Sequence, residues 1–183
     1  MKRLHYEYAF ERFLIRHQVP HLAVDQVRRP VFSGARVKNF DFLVRAADGS
    51  TYLVDVKGKL FPYRYGRRRI YWENWIQDQD IRGLRDWEAA LEDTEGLLVF
   101  AYHLTDPWEA ARFAHTFAWR DRLYAFACVR LSDYRRYSRR RSENWRALNI
   151  PRDIFRTLAH PPEDVLLDEH HAWSPAFEDS LTV

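Results

Sequence analysis

Cysteine, glycine, lysine and long apolar runs are what this chain of 183 residues has least of. A single cysteine, Cys128, excludes an internal disulfide framework and fits a reducing cytoplasm. No apolar run reaches membrane-spanning length, and the opening Met1-Lys2-Arg3-Leu4-His5-Tyr6-Glu7 lacks the apolar core of a signal peptide. A soluble, cytoplasmic protein with no membrane partner is expected. Glycine-rich phosphate loops, Cys/His zinc spacings, nucleophile elbows and internal repeats are missing as well, which removes the function classes those patterns announce. Lysine occurs only at positions 2, 38, 57 and 59, although Lys and Arg together number 29.

What is present is apolar weight, 46% of residues with 16% aromatic, enough for one well-filled domain. The expected organisation is a single domain over 1–160 followed by an acidic tail over 161–183. The formal net charge of +3 conceals a sharp partition. Residues 130–156 carry nine arginines against Asp133, Glu143 and Asp153, a local +6; residues 157–183 carry six acids and no Lys or Arg, a local −6. Arginine forks phosphate and stacks on bases, which fits a nucleic-acid partner. A genome favouring arginine codons explains the same bias, and both explanations stand at this point.

The chain is organised around Phe40 to Gly58. Phe40-Asp41-Phe42-Leu43-Val44 and Tyr52-Leu53-Val54-Asp55-Val56-Lys57-Gly58 flank an Asp-Gly turn and form a β-hairpin pattern. A three-residue loop, Ala47-Asp48-Gly49 with Gly49 left-handed, pairs Ala46 with Ser50 and sets Asp41 opposite Asp55, with Lys57 one pleat along. It also sorts Phe40, Phe42, Val44, Tyr52, Val54 and Val56 onto the other face. A two-residue loop slips the register by one and separates the carboxylates. The first is preferred because glycine takes the left-handed position without strain. Two carboxylates about 4 Å apart repel by roughly 4 kcal/mol at an effective dielectric of ~20. A protein answers by protonating one or by placing a cation between them, and hard oxygen donors suit magnesium or manganese. Lys57 adds a point charge beside them, able to hold a water or offset developing negative charge.

Asp41, then Asp55-x-Lys57, behind a helix bearing glutamate, resembles the PD-(D/E)XK nuclease superfamily over roughly residues 5–102. Phe40 stands where that motif's name has proline. The resemblance implies an α/β, restriction-endonuclease-like fold with a mixed central β-sheet flanked by helices. It also implies divalent-metal-dependent hydrolysis of nucleic acid, DNA favoured, with Mg2+ or Mn2+ as cofactor. Asp41 and Asp55 would be metal ligands, Lys57 the catalytic lysine, and Glu11 or Glu7 the helix glutamate, Glu11 first. Many enzymes of the superfamily pair to cut both strands, which makes a homodimer an expected arrangement. His5-Tyr6-Glu7-Tyr8-Ala9-Phe10-Glu11 also resembles the HYExAFE signature of a bacterial family of unassigned function. The alternative class is a non-catalytic nucleic-acid-binding or assembly protein, with Asp41, Asp55 and Lys57 as a structural charge cluster and segment 135–146 as the binding surface.

Elsewhere the pattern predicts a helix over 5–18, with Tyr6, Phe10, Phe13, Leu14 and His17 on one stripe and Glu7 and Glu11 at its edge. A short strand over 22–27 and a loop with Arg28, Arg29, Pro30 and Gly34 follow. After the hairpin, Arg64, Arg67, Arg68 and Arg69 sit among aromatics in a stretch read as a flexible, phosphate-gripping lip or an ordinary solvated loop. A helix over 73–93 closes at Thr94-Glu95-Gly96; its Gln77 and Gln79 are not assigned to the site. Residues 97–102 read as a buried central strand, and Asp106-Pro107-Trp108-Glu109 as a short helix start. Residues 116–119 and 123–131 read as a second hairpin. Arg135, Arg136, Arg139, Arg140 and Arg141, interleaved with Tyr and Trp, form the strongest basic-aromatic segment, either a nucleic-acid surface or an arginine-rich helix. His170-His171 is read as part of a mobile terminus rather than as a soft-metal site.

Overall fold

In a computed structural model the described residues are 5–25, 31–32, 35–141, 146–171 and 173. Arg28, Arg29, Pro30 and Gly34, residues 142–145 of the basic segment and residues 174–183 of the acidic stretch lie outside them.

The chain begins with α1 (His5–Arg16) and β1 (His21–Ala23), then a small pair, β2 (Val31–Phe32) and β3 (Ala35–Arg36). The hairpin follows as β4 (Phe42–Arg45) and β5 (Thr51–Phe61), and a second, smaller one as β6 (Tyr63–Tyr65) and β7 (Arg68–Ile70). Next come β8 (Ile76–Gln77), α2 (Asp78–Ala90), β9 (Glu95–Leu104) and a 3-10 turn over Pro107–Arg112. β10 (Phe117–Trp119), β11 (Arg122–Arg130), α3 (Leu131–Tyr137), β12 (Arg139–Arg140) and β13 (Ala147–Asn149) lead to α4 (Arg152–Leu158) and α5 (Pro162–Leu167).

The fold is α/β. Six strands form one mixed sheet in the order β1-β4-β5-β9-β11-β10, and β12-β13-β8 make a second, three-stranded one. Only the β5–β9 pair of the large sheet is parallel; the other neighbours are antiparallel. A parallel pair needs a long crossover, and residues 62–94 supply it, carrying β6, β7, β8 and α2. β9 lies between β5 and β11 and its residues 96–102 are buried, as expected for a strand covered on both faces.

Each face of the sheet has its own core. Phe10, Phe13 and Leu14 of α1 pack with Phe42, Val44, Tyr52, Val54 and Val56, joined by Val165 and Leu166 of α5. Leu53, Phe61, Leu98 and Phe100 face the other way against Ile81 and Leu84 of α2, Tyr134 of α3 and Phe155 of α4. The stretch expected to begin an acidic tail therefore opens with a packed helix, and Ala47 donates a backbone hydrogen bond to Leu166 at 3.0 Å. His171 lies against His160 and Trp173, with ring centroids 5.2 and 5.1 Å away.

Local chemistry moves several expected boundaries. Ile76 and Gln77 pair with Leu148 and Ala147 instead of entering the helix, so α2 starts at Asp78. It ends at Ala90, and Glu95 and Gly96 already belong to β9. β1 covers His21–Ala23, and His17 of the expected apolar stripe is exposed, although its ring rests 4.5 Å from that of Phe13. β5 continues four residues past Lys57, so the lysine sits mid-strand, paired beside Phe100 of β9. The arginine lip is an ordered hairpin, Tyr65 pairing with Arg68 around Gly66 at φ 58°. No described helix is long and apolar enough to cross a membrane.

Candidate active site

The β4–β5 ladder has the expected register: Arg45 pairs with Thr51 and Phe42 with Val54, closed by the Ala46 N–H to Ser50 hydrogen bond and Gly49 at φ 89°. One residue further out the ladder breaks. Asp41 N–H also donates to the Val54 carbonyl, at 2.8 Å, so two consecutive residues face one: a β-bulge. The extra residue reverses the alternation beyond it. Phe40, expected beside Phe42, packs in the α2 core instead, 5.1 Å from the Trp87 ring. Asp41 is turned toward β5, where its Oδ2 accepts the Val56 N–H at 2.7 Å. The carboxylate thus serves an amide that β4 has ceased to pair.

Asp41 and Asp55 are both buried, at 7% and 4% exposure. Burial first, then the charges of Asp55 and Glu7, push the Asp41 carboxyl well above the usual carboxylate range, against the Val56 hydrogen bond and Lys57. The helix carboxylate whose charge bears on Asp41 is therefore Glu7; Glu11 stands one turn on, half-buried. Gly58 makes this approach feasible. A Cβ there would lie 2.1 Å from the Tyr6 ring, so only glycine lets α1 lie so close to β5 beside Lys57. The start of α1 is tied down further by a 2.8 Å hydrogen bond between His5 Nδ1 and the Tyr124 hydroxyl.

Lys57 lies 2.7 Å from Asp55 Oδ2 and 2.9 Å from Asp80 Oδ2. Burial alone would discharge it, but the two carboxylates outweigh burial and raise its pKa, so the ammonium keeps its proton. Asp80 went unrecognised in the sequence. It enters from the first turn of α2, where its Oδ2 accepts the Gln77 N–H at 3.1 Å, and it also binds Lys38. Burial raises its pKa, but Lys57 and Lys38 together hold it below the usual range. The signal was the Gln77-Asp78-Gln79-Asp80 run, an acid three residues after a helix start. Lys59, one pleat beyond Lys57 and also buried, behaves oppositely. Burial, with Lys57 and Arg141 nearby, pushes it down to about 7 despite Glu73. Its Nζ donates to the Trp75 carbonyl at 2.7 Å and sits 3.5 Å from that residue's ring centroid.

The donor set suits a hard divalent ion: two neighbouring carboxylates, a third charge within reach, and a repulsion at Asp41 that a cation would relieve. As they stand, the side chains do not gather into a three-ligand group among the described residues, Asp55 being turned to Lys57. The arginines occupy other places. Arg64, Arg67, Arg68 and Arg69 are exposed on the β6–β7 hairpin, Arg69 lying 3.8 Å from Glu109. Arg135 and Arg136 are exposed on α3, and Arg139 and Arg140 on β12. Arg141 reaches Glu73, 3.4 Å away. No protein-family model matches the chain, and no curated protein matches it. The residues themselves carry the functional reading.

Proposed function

We propose that this chain is a divalent-metal-dependent nuclease of restriction-endonuclease-like fold, hydrolysing phosphodiester bonds of nucleic acid, DNA ahead of RNA, in the cytoplasm and as a homodimer. The observation that carries it is the convergence of Asp41, Asp55 and Lys57 at the bulge that opens β4, backed by Glu7 of α1. The parallel β5–β9 pair, crossed by α2 on one face and covered by α1 on the other, is consistent with the resemblance to PD-(D/E)XK nucleases.

Asp41 and Asp55 would hold the ion, with Glu7 as the third carboxylate ahead of Glu11. The chemistry such an ion supplies when bound is neutralisation of charge on the scissile phosphate and acidification of a water. Lys57, kept protonated by Asp55 and Asp80, acts as a donor rather than a base: its ammonium orients the attacking water and meets negative charge developing on the phosphate. Asp80 is a positioning residue that holds this ammonium in line. The Arg64–Arg69 hairpin and the Arg135–Arg141 segment offer exposed cations to the phosphate backbone.

A second reading has one observation in its favour. Lys57 is already satisfied by two carboxylates, as in a purely structural charge cluster on a non-catalytic nucleic-acid-binding protein. Supercoiled, single-stranded and branched DNA and RNA, incubated with magnesium, manganese or chelator, separate the two. Metal-dependent cutting that disappears in both Asp55→Ala and Lys57→Ala is expected. Undiminished cutting by Asp55→Ala would sink the site, and salt-sensitive binding without cutting of any substrate would favour the second reading.

A further inference from the structure

The crossover between β7 and α2 forms more than a connection. Residues 70–75 wall a cavity of about 230 Å3, with Tyr71, Trp72 and Trp75 as its rings, Arg141 and Arg152 as its cations and Glu73 as an acid already engaged by Arg141. Drug-sized ligands need roughly 300–1,000 Å3, so this space suits a smaller planar group. Trp72 is held at φ 60°, a left-handed conformation that a bulky side chain adopts only under compulsion. Packing against Phe61 and Phe113, with ring centroids 5.1 and 4.8 Å away, compels it. The chain on either side is pinned: the buried Asn74 side chain bonds the carbonyl and amide of Ile150, and the Tyr134 hydroxyl donates to the Asn74 carbonyl at 2.7 Å. The wall is thus rigid before anything enters.

The cavity adjoins the catalytic face. Lys59 bonds the Trp75 carbonyl from one pleat beyond Lys57, a spacing of about 7 Å along a strand. The same segment continues through β8 into α2, delivering Asp80 to Lys57.

We propose that this cavity takes one unpaired nucleobase of a single-stranded or locally opened strand, stacked on its aromatic wall, while Arg141 and Arg152 meet the adjoining phosphates. The proposal rests on the nucleic-acid reading above for its ligand class, but not on catalysis. Aromatic rings hold any base by its π-face, and arginine beside them neutralises the backbone, so recognition here depends on an unpaired base rather than on sequence. A paired base, buried in its stack, cannot reach the wall.

The test is fluorescence anisotropy on the full chain in chelator at low salt. The probes are a labelled single-stranded oligonucleotide of mixed sequence and the blunt duplex of the same sequence. The wild type should prefer the single strand. Trp75→Ala should weaken that complex about tenfold, the effect of losing one base stack, while the duplex is little changed; Trp75→Phe, which keeps a ring, should retain most of the affinity. Should Trp75→Ala fail to fold, Arg152→Ala at an exposed lining position should give a smaller loss, again selective for the single strand. Unchanged single-strand affinity in the folded variants, equal losses for both probes, or no single-strand preference in the wild type overturns the pocket. Loss of cutting with intact binding in Asp55→Ala bears on the metal site alone.

Discussion

Along β5, Tyr52, Val54 and Val56 turn toward α1 into a cluster of Phe10, Phe13, Phe42 and Phe126, whereas Asp55, Lys57 and Lys59 turn toward α2 and meet Asp80 and Trp75. One strand therefore has an apolar side and a charged interior side. The first contributes stability in proportion to the apolar area removed from water. The second costs desolvation that its ion pairs only partly return. Proteins often keep buried charges where chemistry requires them, and the proposed function draws on this α2 face. Asp41 sits at the junction, turned by the bulge so that it faces Glu7 of one layer and Asp55 of the other.

The comparison is broken most strongly from the α1 side. Phe10 is fully buried, 5.3 Å from Phe126 and 6.0 Å from Phe42 between ring centroids. Phe10→Ala should cost about 3–5 kcal/mol in urea denaturation, while cutting per folded molecule stays unchanged. A loss of activity beyond the loss of folded protein would mean that the two faces are not separable.

On the α2 side the expected effect is smaller and of another kind. Lys57→Met leaves Asp55 and Asp80 without their shared cation, though Asp80 retains Lys38. The cost should fall near the lower end of the range for breaking a buried pair, about 3 kcal/mol. The double variant Lys57→Met/Asp55→Leu should recover most of it, since Asp80 retains Lys38 and an apolar pair needs no partner. Both variants should be inactive. Denaturation midpoints that match in the single and double variants would show that Asp55 does not depend on Lys57 as its partner.

Much of this face was legible before the structure, and the gaps have physical causes. The Asp48-Gly49 turn determines the hairpin register locally, so Asp55 and Lys57 could be placed on one face from spacing alone. The bulge at Asp41 could not, because it arises where β4 runs out and a side chain captures the Val56 amide. Phe40 was misplaced for the same reason, alternation being trustworthy only within an unbroken ladder. Asp80 lies on a helix whose sequence pattern reads as starting at 73, five residues early, and this hides its position in the first turn. α5 escaped notice because a short helix among acids has a weak periodic pattern; its Val165 and Leu166 reveal themselves only by packing. Glu7 adds to the repulsion at Asp41 from a helix that Gly58 lets lie close to β5, a matter of tertiary distance rather than helical phase.

Lys59 sharpens the comparison through the slope of stability against pH. In the folded chain burial brings Lys59 from its ordinary 10.5 to about 7, whereas in the unfolded chain it keeps the ordinary value. Between those limits the unfolded state holds a proton that the folded state has released. Stability then rises with pH across that window, and the advantage present at high pH is lost as pH falls through about 7. Lys59→Met removes this dependence together with the hydrogen bond to the Trp75 carbonyl, itself worth about 0.5–1.5 kcal/mol. The two changes oppose each other near pH 7, where relief of the buried charge exceeds the lost hydrogen bond, so Lys59→Met should be the more stable protein there. Above it, wild type should gain on the variant steadily as pH approaches 10.5. Denaturation midpoints of the two proteins measured across this range give the difference directly, other titrating groups being common to both. A constant difference would mean that Lys59 stays charged in the fold, and the α2 face would then hold two buried ammonium groups side by side.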